Sequence, residues 1–67
     1  MNIEINNEIK TVIENFSAQQ VFELLQIHNT NGYALAINNT VIPKTKWTET
    51  LLNAGDKILV IQATQGG

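Results

Sequence analysis

Few residues in this 67-residue chain are of a kind that performs covalent chemistry. There is no cysteine, which removes thiolate nucleophiles, disulfides and thiolate metal sites. His28 is the single histidine, with no acid placed beside it to orient the ring; at a helix C-terminus its partial positive charge suits the dipole. A metal site needs further His or carboxylate ligands at short spacing, and none is spelled here. The acids Glu4, Glu8, Glu14, Glu23, Glu49 and Asp56 all sit among polar neighbours and read as solvated surface. "NAGDK" holds one glycine before a strand, whereas a phosphate loop needs several glycines opening a helix, so it reads as a turn. Trp47 reads as a partly buried cover over the core.

What remains is the end of the chain, "QATQGG". Glycine has no Cβ and reaches backbone angles closed to other residues, so a Gly-Gly end can thread a narrow slot. A glycine carboxylate is also the least hindered acyl group a chain can offer. It is inert to nucleophiles until activated; as an acyl-adenylate its carbon becomes a strong electrophile. On this reading Gly67 carries the chemistry, Gly66 and Gln65 give it passage, and the protein is a substrate of partner enzymes, not an enzyme. The competing reading is a frayed terminus.

The elements that must present such an end follow from the hydrophobic period. "MNIEIN" alternates, with Met1, Ile3 and Ile5 on one face, as a half-buried strand does. "NNE" is turn chemistry, and "IKTVI" is the return arm of a hairpin. Ser17 and Gln20 form a capping-box pattern, with Phe16 and Val21 placed as a hydrophobic staple. Helical spacing runs from Ala18 to His28, with Ala18, Val21, Phe22, Leu24 and Leu25 on one side, and Gly32 is placed to reverse the chain. "YALAIN" and "TVIP" are strands, "KTKWTETLL" is a one-turn helix plus irregular chain, and Lys57 to Thr64 is the last strand. This order gives an α+β domain, one main helix across one face of a mixed sheet of four to five strands. Residues 1–63 form the domain and 64–67 a flexible tail.

One helix covers one face. Ile58 and Val60 then join the core with Leu35 and Ile37, while Leu59 and Ile61 face outward beside the small Ala34 and Ala36. Two arrangements fit: an exposed apolar patch for a partner, or a crossover "KTKWTETLL" folded over that face.

Composition narrows the setting. The net charge is −2 and Lys10, Lys44, Lys46 and Lys57 are scattered, which argues against nucleic acid. No stretch approaches the ~20 apolar residues of a membrane span. The opening residues carry acids and amides where a signal peptide needs an apolar run. The expected compartment is the cytoplasm.

In "ALAINNTVIPKTKW" and "LLNAGDKILVIQATQGG" the chain resembles the ubiquitin-like sulfur carriers, on the thiamine-biosynthesis branch. The elements that carry this are the "LAIN" strand, "VIP", Trp47 after it, the "GDKI" turn and the terminal Gly-Gly. The resemblance implies a ubiquitin-like β-grasp fold. It also implies that a ThiF-type adenylating enzyme activates the Gly67 carboxylate with ATP and magnesium, the carrier itself binding no cofactor. Sulfur drawn from cysteine by a desulfurase would replace AMP to give a thiocarboxylate, and a ThiG-type thiazole synthase would take that sulfur. The face around Leu59 and Ile61 would dock the adenylating partner. Related outcomes are a carrier of the molybdopterin-synthase small-subunit type and a ubiquitin-like covalent modifier.

Overall fold

The computed structural model describes residues 1–63. They form strands β1 (Asn2–Ile5), β2 (Glu8–Thr11), β3 (Tyr33–Ile37), β4 (Thr40–Val41) and β5 (Lys57–Gln62). The single α-helix among them is α1 (Ala18–Leu24), and a 3-10 turn covers Lys44–Lys46. The sheet order is β2-β1-β5-β3-β4, with β1 and β5 parallel at the centre and the other pairs antiparallel. This is the mixed sheet with one main helix that the element order implies.

Both hairpins turn on an Asn-Asn pair. Asn6 and Asn7 have φ of 49° and 69°, and Asn38 and Asn39 have 49° and 72°. Positive φ at both central residues defines a type I′ turn, whose twist matches that of the flanking strands, and asparagine tolerates it at low cost. The same turns brace β5. Val60 N–H donates to Asn6 Oδ1 (2.9 Å) and Lys57 N–H to Asn38 Oδ1 (3.0 Å). Asn38 Nδ2 in turn donates to Asp56 Oδ1 (3.0 Å).

The start of α1 is as its residues dictate. Gln20 N–H donates to Ser17 Oγ and Ser17 N–H to Gln20 Oε1, a complete capping box. The end is not. Instead of running to His28, the helix stops at Leu24 and Gln26 takes the left-handed angle that ends it, with φ 61°; Gly32 takes its expected positive φ, 81°, further on, where the chain turns into β3. Ile27 N–H reaches the Phe22 carbonyl (2.9 Å) and Gln26 N–H that of Glu23 (3.0 Å), a Schellman motif. The reason is where Ile27 must go. At about 100° per residue, a continued helix would turn Ile27 about 180° from Ala18, away from the sheet. Ending the helix lets Ile27 pack against the core. By the same arithmetic Leu24 lies about 110° from the centre of the buried stripe. It is 43% exposed, so it does not join the apolar side. His28 follows the helix and is exposed.

Strand β2 is also shorter than its apolar run: Val12 N–H still pairs with the Met1 carbonyl (2.8 Å), but Ile13 lies beyond and is exposed. Between helix and sheet sit Ile3, Ile5, Val21, Phe22, Leu35 and Ile58, with Val60 and Ile37 half-buried around them. Trp47 is fully buried instead of partly so. Its ring stacks on Phe22 with centroids 4.5 Å apart, and its Nε1–H donates to the Ile42 carbonyl (2.8 Å). The crossover that carries it is stitched to the helix start: Ala18 N–H bonds the Thr50 carbonyl, Gln19 N–H that of Trp47, and Leu52 N–H that of Phe16.

Candidate functional site

The path of the crossover settles which face of the sheet is covered. Trp47 and Leu52 enter the core on the helix side, so the segment is not folded across the other face. The second arrangement that the sequence left open does not occur. Leu59 and Ile61 remain 47% and 46% exposed.

Register shows what surrounds them. Ala36 pairs with Leu59 and Ala34 with Ile61 across β3 and β5, and Val41 pairs with Ala36 across β4. On the other side Lys57 pairs with Glu4, and Glu4 with Ile9 on β2. Directly opposed residues point to one face, so Leu59, Ile61 and Val41 form an apolar patch on β3, β4 and β5, and Ile9 lies on the same face of β2 beyond Glu4 and Lys57. Ala36 forms a low floor to a shallow depression lined by Leu59, Ile61 and Val41, with Glu4, Lys57 and Asn39 at one end. Ile9 and Val41 are 64% and 66% exposed. Sequence reasoning missed both as members of this face. The face of β2 depends on the exact hairpin register, which the Asn6-Asn7 turn sets and the apolar run alone does not.

The face holds apolar groups and, at one end, Glu4 opposite Lys57. Among the described residues no group of three or more His, Cys, Asp or Glu gathers to hold a metal ion, and no helix is long and apolar enough to cross a membrane. Gln65, Gly66 and Gly67, like the expected last residue of β5, Thr64, lie outside the described residues. The chain reaches them from β5, the strand between β1 and β3, and its last described residue, Ala63, donates its N–H to the Gly32 carbonyl (2.7 Å).

Three likenesses accompany this geometry. In structure, the chain is similar to the crystal structure of a thiamine biosynthesis protein (ThiS) from Geobacter metallireducens, with a TM-score of 0.85, 20% identity and full coverage of both chains. A solution structure of a Geobacter metallireducens thiamine biosynthesis protein matches with a TM-score of 0.78 over all of this chain and 88% of that one. These fix the fold as the ubiquitin-like β-grasp. In sequence, the chain is 38% identical over 53 residues to the sulfur carrier protein ThiS of Escherichia coli K12, covering 76% of this chain and 80% of that protein. Residues 2–67 match the profile of the ThiS family. With its fold and its sequence in agreement, the chain belongs to the ThiS family.

Proposed function

We propose that this protein is a sulfur carrier for the thiazole branch of thiamine biosynthesis, with its reactive group at the Gly67 carboxylate. The observation that carries the reading is the 38% identity to a sulfur carrier of this family; the uncovered apolar face around Leu59 and Ile61 supports it.

The chemistry runs in balanced steps. A ThiF-type adenylating enzyme docks on the open face and brings Gly67 to its own ATP and magnesium. A Gly67 carboxylate oxygen attacks the α-phosphorus, pyrophosphate leaves, and an acyl-adenylate forms. The terminal sulfur of a persulfide, formed from cysteine by a desulfurase, then attacks the acyl carbon and AMP leaves, and a thiol reductant cleaves the resulting acyl disulfide to the thiocarboxylate. The thiocarboxylate so produced delivers its sulfur to the acceptor held by a ThiG-type thiazole synthase, and an oxygen from that acceptor or from water takes its place on the acyl carbon, restoring the carboxylate for another round. Within this scheme the carrier's side chains bind and orient; no side chain of its own moves a proton or forms a bond. ATP and cysteine are cytoplasmic supplies, and the cytoplasm is where the cycle belongs.

The test is to incubate the full chain with ATP, magnesium, the adenylating enzyme and a sulfur donor, and to weigh the product. A species heavier by the difference between a sulfur and an oxygen atom is expected. Its absence, with every partner shown active on a known carrier, refutes the reading.

A further inference from the structure

Chemistry at Gly67 depends on where the chain leaves the sheet, and the structure ties that point to a turn on another strand. β3 and β5 pair as far as Tyr33 and Gln62. One more bond follows, from Ala63 N–H to the Gly32 carbonyl at 2.7 Å. Gly32 lies in a turn closed by Tyr33 N–H donating to the Thr30 carbonyl (3.0 Å). Its φ is 81°, a conformation that residues with a Cβ rarely adopt. Space is not the constraint, because an added Cβ would meet only the Ala63 carbonyl oxygen, at 3.8 Å. The backbone angle is what requires glycine here.

The turn is itself held. Asn31 N–H donates to Asn29 Oδ1 (3.0 Å), and Lys44 Nζ donates to Asn31 Oδ1 (3.3 Å). Tyr33 next to it meets Phe22 edge-on with centroids 5.9 Å apart, and Phe22 stacks on Trp47. A run of contacts therefore leads from the centre of the core to the Ala63 amide.

We propose that the Thr30–Tyr33 turn is a bracket that fixes where the C-terminal segment departs, and that Gly32 is a positioning residue for acyl activation at Gly67. The proposal rests on the sulfur-carrier reading. From a held Ala63, the four residues Thr64 to Gly67 span at most about 14 Å fully extended. The nucleotide of a docked partner must lie within that reach. Releasing Ala63 adds one more backbone unit to be ordered each time Gly67 is presented. At the usual entropy of fixing one residue, this lowers the productive fraction about five- to thirtyfold.

The experiment compares Gly32→Val with Gly32→Asn in the full chain. Valine disfavours a positive φ, while asparagine tolerates it. In the valine variant the Ala63 amide is expected to exchange faster with solvent while those of Leu35 and Ile58 stay protected. Its kcat/KM in ATP–pyrophosphate exchange by the ThiF-type enzyme falls about five- to thirtyfold, with affinity for that enzyme unchanged. Gly32→Asn restores both readouts. Insertion of one glycine after Ala63 leaves the turn intact and gives the same kinetic loss, which covers the case in which Gly32→Val unfolds. An unchanged kcat/KM in the insertion variant, or in Gly32→Val once Ala63 protection is gone, overturns the bracket. No exchange even with the wild-type chain and an active enzyme overturns the sulfur-carrier reading instead.

Discussion

Neighbouring residues of β5 offer a sharp test of the division between core and docking face. Ile58 is 3% exposed and Leu59 47% exposed, although they are adjacent on one strand. Full burial of such a side chain is worth about 1.5–3 kcal/mol. Leu59 has about half of that at stake, so Leu59→Asp removes about 1 kcal/mol and adds a carboxylate that stays in water. A domain of this size holds about 3–5 kcal/mol of stability, and the variant remains folded. At about 4–8 °C per kcal/mol, its Tm falls by a similar number of degrees. Ile58→Asp forfeits the whole burial term and places an unpaired carboxylate between sheet and helix, a further penalty of several kcal/mol. The sum exceeds the stability available, and that variant is expected to be unfolded. Binding divides the other way. Charging an apolar anchor at the centre of an interface costs about 2 kcal/mol or more, close to a thirtyfold rise in Kd. Urea unfolding followed by Trp47 fluorescence reads the first quantity, and calorimetric titration of the ThiF-type enzyme reads the second. Two results would refute the reasoning: Leu59→Asp unfolding as Ile58→Asp does, or a folded Leu59→Asp that binds the enzyme with wild-type affinity.

Other perturbations have equally definite outcomes. Deleting Gly67 should abolish adenylation while leaving the urea midpoint where it was; a large drop in that midpoint contradicts a purely chemical role. Trp47→Ala removes a fully buried ring stacked on Phe22 and should cost about 3–5 kcal/mol, enough to leave no cooperative unfolding transition at room temperature. Gln26→Gly should stabilise the protein, by up to about 1 kcal/mol, because Gln26 holds φ at 61° in the position of the helix end where glycine is strain-free. A lower Tm for that variant would show that the Gln26 side chain contributes something its exposed position does not suggest.

How far the residues spelled out this structure depends on whether a signal is local. The strict alternation of β1 and the Ser17/Gln20 box are local; α1 begins at Ala18 as the sequence places it, and β1 one residue inside the alternating run, at Asn2. The helix end is not local. It is set by the need to return Ile27 to the core, and the residue that takes the left-handed angle is glutamine, which carries no such signal. Trp47 is similar: its type marks it as large and amphipathic, but its full burial depends on the crossover being stitched to the start of α1. At the candidate site, the outward direction of Leu59 and Ile61 follows from period-two alternation once the core side is known. Ile9 and Val41 share their face only through register across four strand pairs, information that no single segment contains.

On the proposed function, the position of β5 is what would let so small a fold serve as a handle for its own end. A strand at the edge of a sheet is paired on one side and readily frays or pairs with other chains. β5 has β3 beside it along its whole length and β1 beside its first residues. Where β1 turns away, the Asn6 side chain takes over by accepting the Val60 N–H. Any partner that draws on the chain beyond Ala63 therefore pulls against a ladder, and a slip of one residue would exchange Ile58 and Val60 for Leu59 and Ile61 in the core face. The same strand thus resists displacement and displays the exposed apolar residues Leu59 and Ile61. On the proposed function, only Gln62 separates the apolar residues Leu59 and Ile61 from Ala63, so a partner bound to them would sit beside the point where the bracket at Gly32 holds the chain.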